Sequence, residues 1–148
     1  MNSTHAYQSS SLYQRIGGEV ALRNFVSRLY GYMDSLPEVR PVRDLHAMSL
    51  SDAGERLFRF LSGWLGGPPL YHQSYGEPRL RRRHMHIPIG DTERNQWLLC
   101  AHRALDEMDW PIRERDELMQ RLSEMASHLR NQGPLNSGCN AHVGKCAV

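Results

Sequence analysis

Cysteine is scarce in this chain, and three in 148 residues are an odd and sparse set. Small secreted domains stapled by disulfides need an even, denser one. Long apolar runs are also missing: no window approaches the roughly 18 apolar residues that a membrane helix needs. The opening stretch Met1 to Ala6 lacks the basic start and apolar run of a signal peptide, so a cytoplasmic location is the default expectation. Charge of one sign is lacking as well. A formal net charge of +2 exerts no strong pull on nucleic acid or an anionic membrane. There is no strand-like alternation and no internal repeat. The apolar share of 40% is below the usual one of about 45–50%, yet 148 residues suit one domain with a real core.

What the chain does have is helical periodicity. Leu22, Phe25, Val26, Leu29, Tyr30 and Met33 step by 3, 1, 3, 1, 3, which is one face of a 3.6-residue repeat. Pro37 and Pro41 reduce residues 34–48 to short turns or a single helical turn. Ser49-Leu-Ser-Asp52 has capping-box spacing with Asp in place of Glu, and Leu57, Phe60, Leu61, Trp64 and Leu65 follow as a second stripe. Gly66-Gly67-Pro68-Pro69 stops it. A third helix starts near Asp91 or Thr92, either of which can cap it, and carries Trp97, Cys100, Ala101, Ala104, Leu105 and Met108. Pro111 suits the first turn of a fourth, with Leu118, Leu122, Met125, Ala126 and Leu129 inward and a stop at Gly133-Pro134. The spacing predicts an all-α chain: a disordered leader over 1–11, a helical domain over 12–132 and a polar tail over 133–148. A four-helix bundle and a compact globin both satisfy this pattern.

His84 is the residue that points to chemistry. It follows Leu80 and three arginines, near the end of a short element between Pro78 and Pro88. One reading is a surface histidine beside solvated arginines. The other is a neutral imidazole on a metal, with the cations serving anionic groups of the same ligand. Haem asks for that set: an apolar slot, one axial nitrogen, and basic side chains for two propionates.

The wider context resembles the group II truncated haemoglobins. The positions that carry the resemblance are Gly17-Gly18, Gly66-Gly67-Pro68, Tyr71, Gly76, Pro78, Leu80, Arg81, Arg83-His84, Ile89, Glu93-Arg94 and Trp97-Leu98. It runs from about Leu12 to Leu129 and is densest from Pro78 to Trp97. The resemblance implies a globin-like, truncated two-over-two helical sandwich around haem b, with His84 as the proximal iron ligand. That role requires Nε2 on the metal and Nδ1–H given to a backbone carbonyl, which fixes the tautomer. His86 lies on another side of the helix and is accessory at most.

On the ligand side the resemblance puts Tyr30, Leu57 and Trp97 around the sixth coordination position. Taken singly, Tyr and Trp on apolar faces are ordinary buried aromatics. Together they offer a hydroxyl and an indole N–H to a ligand carrying partial negative charge. At ~1.5–3 kcal/mol each, two such donors would slow its escape by roughly two to four powers of ten. His46, at the corner before the distal helix, is a third distal candidate, although Ala47 stands where the family usually has Pro. Ala53 is small at the position of the vertebrate distal histidine, which leaves a route open for ligands. Phe60, Leu80, and Met85 or Ile87 are haem-packing candidates, and Arg81 or Arg83 would meet a propionate.

The expected partners are dioxygen, nitric oxide or carbon monoxide and an unidentified reductase, with nitric oxide dioxygenation or peroxide chemistry as the reactions such a site opens. Neither nucleic acid nor membrane is expected, since no aromatic alternates with the arginine run. The other class that fits the stripes is a cofactor-free helical-bundle adaptor. In the tail, Cys139, His142 and Cys146 are spaced to hold zinc with a fourth ligand or to close a disulfide. Cys100, on an inward stripe, reads as an apolar filler.

Overall fold

The computed structural model describes residues 10–46 and 49–133. Among them lie eight α-helices and no strand: α1 (Leu12–Ile16), α2 (Gly18–Ser35), α3 (Arg40–Asp44), α4 (Leu50–Trp64), α5 (Leu70–Tyr75), α6 (Leu80–His84), α7 (Asp91–Asp106) and α8 (Ile112–His128). A 3-10 turn over Pro37–Val39 links α2 to α3. The four long helices are the four stripes of the sequence. Their ends are set by local chemistry. Ser11 Oγ accepts from the Gln14 amide at 3.2 Å, and Ser49 Oγ accepts from the Asp52 amide at 3.1 Å, so each fills one orphan donor of a first turn.

Two boundaries differ from expectation. Neither Asp91 nor Thr92 caps α7: Asp91 is already helical and Gly90 is the cap residue. The Gly90 N–H donates to Glu93 Oε1 at 2.8 Å, so the carboxylate supplies the one side-chain bond a glycine cap allows. At the other end, α8 closes at His128 with Leu129 as its cap, short of Gly133, because the chain there turns to pair with Ile89.

α2 is the hub. It packs on α4 and on α7, while α4 carries α5 and α7 packs on α8, which gives one helix pair laid over another. The core between the layers holds Leu22, Phe25, Leu29 and Met33 of α2, Phe58 and Leu61 of α4, Leu118 and Leu122 of α8, and Cys100, Ala101 and Ala104 of α7. Each large side chain buried there is worth about 1.5–3 kcal/mol. The small residues of α7 let α2 approach closely.

The single stripe expected on α4 resolves into two faces. Phe58, Leu61 and Leu65 are buried in the core, whereas Leu57, Phe60 and Trp64 are only partly buried. The two sets are related by one residue, about 100° around a helix. The first seals the domain, and the second leaves an apolar wall without a full covering. The loop after α4 is tight: Gly66 has φ +95°, and a Cβ on Gly67 would stand 2.6 Å from the Tyr13 ring. The Tyr13 amide donates to the Leu65 carbonyl at 3.0 Å, which pins α1 against this turn.

Candidate functional site

Tyr30 on α2 and Trp97 on α7 come together where those helices pack, close enough for the Trp97 indole to act on the Tyr30 hydroxyl. An indole N–H can only donate, so a bond between the two would leave the Tyr30 O–H available to a further acceptor. Burial pushes the Tyr30 hydroxyl well above the usual range, against the lowering effect of Trp97. It therefore keeps its proton at any physiological pH. The His46 ring stands edge-on to Tyr30, with centroids 5.8 Å apart at 85°. Its Nδ1 lies 2.9 Å from the Val42 carbonyl, which requires the proton on Nδ1. The Val42 amide donates to Gln96 Oε1 at 3.0 Å, so Gln96 on α7 anchors α3, and with it the corner that carries His46. Desolvation holds the His46 imidazole below its ordinary pKa, and positive charge on Arg43 or His84 acts in the same direction.

His84 closes α6, with Nδ1 2.6 Å from the Leu80 carbonyl. That bond again places the proton on Nδ1 and leaves Nε2 with the ring's lone pair. α6 contains no buried residue, so its position comes from polar ties. Arg81 Nη1 donates to the His128 carbonyl at 2.6 Å. Arg83 Nη2 donates to the Glu77 carbonyl at 3.2 Å, and its guanidinium stands 5.7 Å from the Tyr71 ring centre. Arg79, the cap residue, is left-handed at φ +42°, a conformation that costs a non-glycine residue roughly 1–2 kcal/mol.

Five apolar residues among the site candidates are partly buried: Leu57 and Phe60 of α4, Leu80 of α6, Ile87 and Trp97. Phe60 stacks on Trp64 at 5.6 Å and meets Tyr71 edge-on at 6.3 Å. Ala53 is buried in the first turns of α4. Met85 is 46% exposed, so of the two packing candidates after His84 only Ile87 faces inward. His86 is exposed. On the other flank of Tyr30, a groove of about 540 Å³ opens between α2 and the start of α4, lined by Val26, Tyr30, Leu50, Gly54 and Phe58 among others. Neither Trp97 nor His84 is part of its wall.

The bacterial-like globin family model matches residues 11–131. The group 2 truncated haemoglobin YjbI of Bacillus subtilis (strain 168) is 34% identical over 81% of this chain and 88% of its own length. The group II 2-on-2 haemoglobin of Agrobacterium tumefaciens superposes with a TM-score of 0.81 at 40% identity, over 84% of this chain and 97% of that one. A cold-adapted truncated haemoglobin of Pseudoalteromonas haloplanktis TAC125 gives 0.80 at 35% identity, over 84% and 100%. The chain is a group II truncated globin.

A globin's cofactor is haem, and the residues of this globin fit one. Among the described residues no three His, Cys, Asp or Glu side chains gather to hold a bare metal ion. A single imidazole with Nδ1 tied back and Nε2 bare suits a metal whose other ligands come from a macrocycle. Leu57 and Phe60 on the second face of α4, left only partly buried, suit packing against a flat apolar ring.

Two contributors to this globin's site lie outside the stripes, Gln96 and Asn131. Gln96 is a polar residue inside α7 and carries no periodic signal. Asn131 is 4% exposed, although it follows the last helix in a polar stretch where nothing but its neighbour Gly133 punctuates the sequence. The leader up to residue 9, Ala47 and Met48, and the cysteines and histidine of the tail lie outside the described residues.

Proposed function

We propose that this globin holds haem b against the second face of α4, with His84 Nε2 as the axial ligand, and binds dioxygen, nitric oxide or carbon monoxide beside Tyr30. When bound, the haem supplies an iron that accepts a diatomic gas and moves negative charge onto it. The chain's own residues do the rest. Leu80 O fixes the His84 tautomer, Trp97 orients the Tyr30 oxygen, and the Tyr30 O–H is a largely desolvated donor. His46 stays neutral beside it. Leu57, Phe60 and Ile87 would exclude water, and Arg81 or Arg83 would supply a cation to the propionates. The observation that carries the reading is the 2.6 Å bond from His84 Nδ1 to Leu80 O, which prepares a ring for metal binding at the far nitrogen. Such a pocket retains gas more readily than it exchanges it. Conversion of nitric oxide with dioxygen, or of peroxide, belongs to the same proposal and draws its electrons from an outside reductase.

The test is haem content and visible spectrum of the purified full chain. One haem and one iron per chain with an intense Soret band is expected. His84→Ala should empty the site and His86→Ala should leave it loaded. A wild-type chain that stays colourless when supplied with haem overturns the reading in favour of a cofactor-free bundle, and the reverse order of the two variants overturns the ligand assignment.

A further inference from the structure

α6 poses a mechanical problem. It is five residues long, far below the length at which an isolated helix is stable, and it buries no side chain of its own. With Leu80 and His84 only partly buried, hydrophobic packing within the chain does little to set where the His84 ring stands. The carboxamide of Asn131, two residues past the cap of α8, is bonded into this segment from across 47 positions of sequence. Its Nδ2 donates to the His84 carbonyl at 3.0 Å and to the Ile87 carbonyl at 2.7 Å. Its Oδ1 accepts from the Ile89 amide at 2.9 Å and from Gln132 Nε2 at 3.2 Å. The Asn131 amide returns a bond to the Ile89 carbonyl at 2.9 Å.

This orientation of the carboxamide is forced, because two carbonyls can only accept and an amide N–H can only donate. All of the donor and acceptor capacity of the Asn131 side chain is used, at 4% exposure. A fully satisfied buried polar group specifies one arrangement, while a half-satisfied one is costly. Asp, Ser and Leu all fail here. Asp has no second donor, Ser cannot span three partners, and Leu leaves two carbonyls and one amide without them.

We propose that Asn131 is the positioning residue of the proximal side: it holds the backbone on both sides of the His84 turn, and through it the direction of the imidazole. The inference rests on His84 being the ligand, but the geometry it invokes belongs to the chain alone. Asn131 touches no reacting atom. It fixes the His84 carbonyl and the Ile87–Ile89 strand of backbone that leads into α7, so the ring is oriented from the end of α8.

The test uses the full chain with Asn131→Ala and Asn131→Asp, and Leu122→Ala as a control that lowers stability from the core of α8 without touching the segment. In the haem-free protein, nitrogen NMR of the imidazoles reads whether the His84 Nδ1–H is held in its bond to Leu80. After reconstitution, transfer of haem to an acceptor protein reads retention. Both Asn131 variants are expected to lose the protected His84 Nδ1–H signal and to release haem at least about ten-fold faster, whereas Leu122→Ala keeps the signal at an equal loss of thermal stability. If Asn131→Asp does not fold, Asn131→Ala decides. A His84 signal unchanged in the folded Asn131 variant, with haem release within about two-fold of wild type, overturns the proposal. A wild-type chain that takes up no haem strikes the functional reading and leaves the NMR comparison to decide on Asn131.

Discussion

At the scale of single residues, the division of labour between Tyr30 and Trp97 is directional. In the proposed site the indole donates to the hydroxyl and the hydroxyl to the bound gas, so removing either changes what the other can do. Tyr30→Phe removes the terminal donor, and Trp97→Phe leaves the Tyr30 oxygen without its orienting bond. Each variant should raise the dioxygen off-rate about ten-fold or more, the worth of ~1.4 kcal/mol, as read by stopped-flow displacement with carbon monoxide. Unchanged off-rates in both variants would make these residues packing only. His46 gives a pH prediction. Its folded-state pKa lies below the ordinary value, chiefly through burial, so the unfolded chain takes up the proton first. Its neutral form favours the fold fully above about pH 6.5, and that contribution is lost as the pH falls below this value toward the depressed folded one. Urea unfolding of the haem-free chain at pH 7.5 and pH 5.5 should therefore show an acid loss that His46→Phe reduces. An equal loss in both proteins would remove His46 as its source.

At the scale of elements, two glycines call for opposite outcomes. Gly54 lies inside α4, where an added Cβ would find Tyr30 Cδ2 at 3.5 Å and Val26 Cγ1 at 3.7 Å, both ordinary contacts. Gly54→Ala should stabilise by about 0.5–1 kcal/mol from helix propensity alone. Gly67 has no such room against the Tyr13 ring, and Gly67→Ala should cost about 1–3 kcal/mol. Thermal melts of the two variants beside wild type check both signs. The same elements explain what was legible beforehand. Long stripes such as Leu22 to Met33 announce a helix and its buried face, because burial of one face imposes the period. The two faces of α4 were not separable, since Leu57 and Phe58 are adjacent and equally apolar, and only the neighbours decide which is sealed. The start of α7 near Asp91 is legible but its cap is not: Asp91 and Thr92 are good caps by type, whereas Gly90 holds that place with its amide bonded to Glu93. Of the candidate site, spacing puts Tyr30 and Trp97 on inward stripes, while their ligand-side roles and that of His84 are what the family resemblance implies. Gln96 and Asn131 were not legible, because their work is done by single hydrogen bonds across 42 to 54 positions, which no local pattern encodes.

At the scale of the whole molecule, we expect the domain to need its sequence up to Gln132 and no further. A chain ending there retains Asn131 with its ring of partners. It should keep the haem spectrum of the full protein and a melting temperature within about 2 °C of it, since tail segments poor in apolar residues contribute little to a core. Loss of haem on that truncation, or stoichiometric zinc in the intact chain, would instead assign Cys139, His142 and Cys146 a working role. The contrast between α6 and the rest of the fold has a kinetic consequence. Core helices open only when the domain unfolds, but a segment without buried side chains opens locally, at a free energy well below the global one. The lifetime of anything that depends on His84 is then expected to follow excursions of residues 76–90 more closely than the melting point. Stabilising the core, as Gly54→Ala is expected to do, should raise the melting temperature without lengthening that lifetime, and a variant selected for thermal resistance alone would still shed its cofactor at the original rate.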